Sequence, residues 1–227
     1  MSICCTPDGK EIYGDLVNTA GTLTDSGSSS GGSSSGGHHS GGSSSGGSSS
    51  GNTKPSDPTP TPTPSVTFDD VTSNAWYKTA VDYVVGKGLM TGTAEKIFSP
   101  EAPMTRAMLM TVLARYAGED TSGGTTWYEK GMAWAKANGI SDGSNPTGNI
   151  TREQLVTMLY RYAGSPATSG DLTRFADANA ISAYARQAMQ WAVEKGILTG
   201  TTPTTLTPQG QATRAQVATI LMRFCQK

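Results

Sequence analysis

Three stretches decide the fold: TRAMLMTVLARYAG (105–118), TREQLVTMLYRYAG (151–164) and TRAQVATILMRFCQ (213–226). A threonine and an arginine open each one, and a second arginine follows the first by nine residues every time. Between the arginines, Leu109/Leu113, Leu155/Leu159 and Val217/Leu221 fall at helical spacing, which predicts an α-helix with one apolar face. Thr105, Thr151 and Thr213 stand where an N-cap is wanted. Gln154 and Gln216 complete a capping box three residues on, whereas Met108 does not.

Upstream of each stretch a second pattern repeats. Trp76, Trp127 and Tyr184 precede Gly88, Gly139 and Gly196 by twelve residues each. The intervening apolar positions (Ala80, Tyr83 and Val84; Trp134 and Ala135; Ala188, Trp191 and Ala192) predict a first helix that the aromatic residue begins. The glycine then ends it in the left-handed conformation. Gly92, Gly143 and Gly200, four residues further on, are expected to mark turns with positive φ. The copies thus span 66–118, 125–164 and 172–227, each a helix-loop-helix unit. One such pair cannot bury its apolar face alone, so the three are expected to pack as a single, mainly all-α body.

The remainder is of a different kind. Residues 26–51 are only Ser and Gly apart from His38 and His39, and Pro55, Pro58, Pro60, Pro62 and Pro64 follow. Such a segment cannot offset the entropy of ordering, so 26–65 reads as a disordered linker, coil first and polyproline II after. Residues 1–25 are too short to fold alone and read as the remnant of an upstream domain or as disordered. Both histidines lie in the linker, which excludes catalysis by a histidine base within 66–227. Cys4, Cys5 and Cys225 give no metal-ligand spacing and no disulfide framework. Cys225 reads as a small core residue and Cys4-Cys5 as unremarkable thiols, while His38-His39 makes a poor metal site. No cofactor is expected. With a net charge of about +2, residues 66–227 carry no basic field for nucleic acid. No stretch has the roughly 18 to 20 continuous apolar residues of a membrane span. The amino end shows no secretory signal, so an exported protein implies a truncated product or a miscalled start.

The segment FDDV…WYKTAVDYVVGKGLMTGT…FSPEAPMTRAMLMTVLARYAG (68–118) resembles an S-layer homology repeat, whose hallmark is a TRAE-like tetrad opening the second helix. TRAM, TREQ and TRAQ stand in three matching frames, so the resemblance covers 66–227. It implies a pseudo-threefold bundle that holds surface proteins, non-covalently, on secondary cell-wall polysaccharide bearing pyruvylated sugars. The implied partner is that polysaccharide, and the implied location is the cell wall or S-layer. The chain itself is expected to be no enzyme, since no nucleophile is paired with a base and no carboxylates pair in a matching frame. The alternative is the anchoring tail of a surface hydrolase or lattice protein whose main domain lies outside this chain.

Arg106, Arg152 and Arg214 fall at the first helical position, where a cation is slightly unfavourable. Arginine beside free helix amides makes an anion site, and a guanidinium holds a carboxylate in two parallel hydrogen bonds. A pyruvyl ketal fits; the competing reading pairs each arginine with a neighbouring aspartate for packing. Arg115, Arg161 and Arg223 lie where a cation stabilises the helix end, so structure accounts for them. Asp70 and Asp177 precede the first helix and read as its caps or as residues orienting an adjoining arginine; the resemblance places them at the groove. Trp76, Trp127 and Tyr184 suit either packing or the apolar face of a sugar. Copy two lacks any counterpart of Phe68-Asp69-Asp70 or Phe175-Ala176-Asp177, and its loop runs 13 residues from Gly139 to Arg152 against 18 in the other copies. One groove is therefore expected to be altered or lost.

Overall fold

The computed structural model describes residues 67–227. The readings of residues 1–25 and 26–65, including Cys4, Cys5, His38 and His39, lie outside the described residues. Six helices follow one another: α1 (Lys78–Gly86), α2 (Arg106–Tyr116), α3 (Glu129–Ala137), α4 (Arg152–Tyr162), α5 (Arg186–Glu194) and α6 (Arg214–Cys225). Two short 3-10 turns, Ala178–Ala180 and Ala183–Ala185, precede α5. Among the described residues the extended pairings are isolated bridges. None of these helices is long and apolar enough to cross a membrane.

The caps form as the sequence predicts. Thr105, Thr151 and Thr213 accept from the backbone amides of Met108, Gln154 and Gln216, and the capping box closes at Gln154 and Gln216. Gly88, Gly139 and Gly196 all have φ 67°. After each, the amide of Leu89, Ile140 or Ile197 returns to the carbonyl of Val84, Ala135 or Ala192, closing the helix in a Schellman turn. Trp76 and Trp127, however, lie two residues ahead of their helices, and Tyr184 sits in a 3-10 turn. The aromatic residues do not begin the helices.

The principal helix contacts join neighbouring copies. Helix α3 packs on α2, α5 on α4, and α1 closes the circle against α6. The inner helices α2, α4 and α6 meet at both ends. At their amino ends Met104 N–H donates to Ala212 O at 3.0 Å, Ala212 N–H to Ile150 O at 2.9 Å, and Ile150 N–H to Met104 O at 2.8 Å. This closed ring of three hydrogen bonds is buried and sits on the pseudo-threefold axis. At the other end Tyr116, Tyr162 and Phe224 form a triangle of rings with centroids 5.6 to 6.0 Å apart. Between the two lie fully buried Leu109, Leu113, Leu155 and Leu159. Cys225 is buried as expected, as is Trp191, while Tyr83 and Trp134 are half-buried against the same core.

One crossing is closer than the rest. A Cβ on Gly131 of α3 would lie 2.7 Å from Thr111 Cα on α2, and Ala80 and Ala188 stand at the corresponding positions of α1 and α5. Gly131→Ala is expected to destabilise by about 1–3 kcal/mol through overpacking, despite alanine's better helix propensity. A thermal melt matching the parent's would refute that crossing.

Outside the core, Asp120 accepts from the amide and hydroxyl of Ser122 and from Lys130, which hold its carboxyl down to about 2. A depressed carboxyl stabilises the fold above its ordinary value near 3.8, and that stabilisation disappears as pH falls through about 2. Acidification across this window is expected to lower the melting temperature less in Asp120→Asn than in the parent.

Candidate functional site

Three grooves of about 360, 360 and 310 Å³ open between copies, and each is assembled in the same way. The first is walled by residues 89–93 and α2, with Arg214 behind and Trp127 at the side. The second has Ser141, Asp142, Ser144 and α4, with Arg106 and Tyr184. The third has residues 198–201 and α6, with Arg152 and Trp76. Every groove therefore draws a tetrad arginine from the preceding copy and an aromatic ring from the next. Copy two's groove persists in altered form.

The tetrad arginines are clamps as well as groove residues. Nε of Arg214, Arg106 and Arg152 donates to Phe98 O at 2.7 Å, Ser144 O at 2.9 Å and Leu206 O at 2.8 Å, the same loop position in the next copy around the ring. Arg214 Nη2 adds Thr91 O, and Arg152 Nη1 adds Gln216 Oε1. Arg152 and Arg214 are 4% and 6% exposed, and burial lowers both guanidinium pKa values, partly offset by the charge of Asp177 and of Asp70. One Nη nitrogen of each tetrad arginine remains without a partner among the described residues, and none of these nitrogens is fully buried. It keeps access to the groove's solvent.

The helix amides are not free. Amides of Arg106 and Ala107 go to Gly148 O and Pro146 O, those of Arg152 and Glu153 to Gly210 O and Pro208 O, and those of Arg214 and Ala215 to Ala102 O and Pro100 O. The threonine cap takes the next one. The expected anion site at the helix amino end is therefore consumed by inter-copy pairing, and the guanidinium alone faces the groove.

Asp70 and Asp177 cap loops rather than helices. Asp70 accepts from the amides of Phe98 and Ser99, and Asp177 from those of Leu206 and Thr207. Each thereby fixes the carbonyl that holds the arginine. In copy two the corresponding amide, Ser144 N–H, donates to Asp142 Oδ1 at 2.9 Å, so an aspartate two residues away replaces one some thirty residues upstream. Of the turn glycines, Gly143 and Gly200 have positive φ and Gly92 does not. Gly92 is needed for closeness: a Cβ there would lie 2.7 Å from Ile97 O.

Trp76, Trp127 and Tyr184 are 65%, 56% and 54% exposed, large aromatic faces left open to solvent. Tyr77 and Tyr128 meet the two indoles edge-on with centroids 5.2 Å apart, which orients them. Tyr184 Oη donates to Glu153, and burial followed by that bond pushes its pKa up to about 12. Residues that the periodicity had assigned to helix stability also line the grooves, namely Arg115, Arg161 and Arg223. Thr111, Thr157 and Thr219 join them, each six residues after its capping threonine, a recurrence legible in the sequence. Among the described residues no cluster of His, Cys, Asp and Glu is arranged to hold a metal.

The S-layer homology domain family matches residues 67–107 and 174–218, which cover much of the first and last copies. Both stretches belong to the S-layer homology domain family. The chain is 29% identical to an amylopullulanase of Thermoanaerobacterium thermosulfurigenes over 71% of its length and 10% of the relative's. It is 29% identical to the exoglucanase XynX of Acetivibrio thermocellus (72% of this chain, 16% of that one) and 26% identical to a surface-layer 125 kDa protein of Lysinibacillus sphaericus (66% and 14%). The chain thus spans between 10% and 16% of these relatives' length. In the S-layer homology fold seen here, the middle copy falls outside the matched residues, and its own groove carries the departures described above.

Proposed function

We propose that this chain is a cell-wall anchoring module that holds acidic, pyruvate-ketal-bearing secondary polysaccharide in its inter-repeat grooves, outside the cell. The observation that supports this most is the repeated pairing, across each copy boundary, of a clamped arginine with an exposed aromatic ring. The ring covers the apolar face of a pyranose, and the guanidinium's remaining N–H groups meet a carboxylate on that sugar. Similar grooves on one chain hold a polymer longer than any single groove does. Chemistry in this reading is recognition only: nothing in the grooves pairs a nucleophile with a base.

The amylopullulanase and exoglucanase among the relatives favour a second, compatible reading, in which the module tethers a surface hydrolase. A lattice protein is the corresponding cargo suggested by the surface-layer relative. Co-sedimentation of the full chain with purified sacculi, before and after the secondary polysaccharide is stripped, tests the anchoring role. Pelleting should require the polysaccharide; pelleting on stripped sacculi would overturn the assignment.

A further inference from the structure

The three grooves are built alike, yet their electrostatics differ at one position. Thr91 of copy one and Thr199 of copy three stand three residues after the glycine that ends the first helix, and Asp142 stands there in copy two. The threonine carbonyl at 91 accepts from Arg214, and the threonine hydroxyl at 199 accepts from Arg223. Asp142 instead places Oδ1 2.9 Å from Arg106 Nη2, and no such contact joins Asp70 to Arg214 or Asp177 to Arg152 among the described residues. Ser144 supplies its amide and hydroxyl to the same carboxylate, so Asp142 is held over the arginine, and its pKa lies below the ordinary value because of those bonds and of Arg106.

A second carboxylate stands behind the ring of the same groove, outside its lining. Glu153, 4% exposed, accepts from the Tyr184 hydroxyl and from Ser182, whereas Ala107 and Ala215 occupy its place in the other copies. Arg106 is thus paired with Asp142, while Glu153 holds the Tyr184 ring of this groove by its hydroxyl. Grooves one and three pair two arginines with a single aspartate that lies behind the loop.

We propose that groove two is occupied by its own carboxylate. Asp142 neutralises Arg106 at Nη2, beside the Nη1 left open to a ligand, so this groove selects an uncharged sugar while grooves one and three take the acidic one. The inference rests on the anionic-glycan reading above and deepens it. A carboxylate-bearing sugar entering groove two brings a second negative charge to a guanidinium already in contact with one. The other cation of the groove, Arg161, donates to Ile140 O rather than to Asp142, so the repulsion at Arg106 lowers the groove's preference for an acidic sugar. A polymer in which acidic and neutral sugars alternate would then be read in register across the module.

The test uses the full chain with a pyruvate-ketal hexoside and with the methyl ester of the same hexoside, read by calorimetric stoichiometry and by backbone amide shifts. Gly143 and Ser144 report groove two; Gly92 and Gly200 report grooves one and three. For the parent chain, the acid should bind with a stoichiometry of two and leave Gly143 and Ser144 unmoved, while the ester shifts both. In Asp142→Thr, which restores the residue of the other copies, the acid should bind at a third site and shift Ser144, with affinity at groove two raised at least about tenfold. Because the Asp142 side chain is 69% exposed, the variant is expected to fold normally. Two results overturn the proposal: acid shifting Gly143 and Ser144 in the parent chain as strongly as Gly92 and Gly200, or Asp142→Thr failing to gain the third site. Silence of all grooves toward the acid would defeat the anionic-glycan reading first and this inference with it.

Discussion

Arg214→Ala is expected to melt about 6–12 °C below the parent protein, a loss of about 3 kcal/mol. The guanidinium donates to Phe98 O and Thr91 O across the boundary between copies three and one, and lies 4.6 Å from the centre of the Phe98 ring. Removing it strands two carbonyls beside a buried ring and loses a cation–π contact. Arg152→Ala should behave similarly, for it too is buried and bonded to Leu206 O. Arg106→Ala should cost less, since its second contact is to the exposed Asp142. Equal melting of Arg214→Ala and the parent would show that the clamp is dispensable. The practical consequence is that alanine at these arginines confounds binding with folding.

Clean binding probes are the exposed rings. Trp76→Ala, Trp127→Ala and Tyr184→Ala combined are expected to reduce retention on polysaccharide-bearing sacculi by on the order of 100-fold or more. Each ring is worth about 1 kcal/mol against a sugar face, and losses in several grooves multiply on a polymer. Stability should change little, by about 0.5 kcal/mol or less per indole, because neither is buried in the core. Among the single variants, Trp76→Ala and Trp127→Ala should weaken retention on acidic polysaccharide more than Tyr184→Ala, whose groove carries Asp142. Undiminished retention of the triple variant, with an unchanged melt, would remove the aromatic faces from the recognition surface.

The helices, their caps and their stops were legible because each is a local matter. Threonine accepts an amide three residues away, and glycine adopts positive φ where it stands, so spacing alone locates both. The starts of the first helices were misplaced by two residues, since tryptophan carries no start signal and the outer helices have no side-chain cap. The arginines were legible as recurrent and anomalous, but their acceptors lie 35 to 123 residues away. Spacing cannot pair groups that only a closed ring brings together.

Two roles depended wholly on that closure. The helix amides appear in sequence as open anion donors, yet the neighbouring copy's loop carbonyls take them. Arg115, Arg161 and Arg223 appear as dipole partners, yet they wall grooves whose opposite sides come from other copies. What the sequence by itself determined was the repeating unit: two helices, their termini, and one arginine and one aromatic ring per copy, all set by interactions within a few residues. What only the tertiary structure decided was which copy completes which groove, that Asp70 and Asp177 hold loops, and that Asp142 rests on Arg106. Each half-buried unit satisfies its apolar face and its unpaired backbone groups against a neighbour, and the circular order of those neighbours is a property of the closed ring.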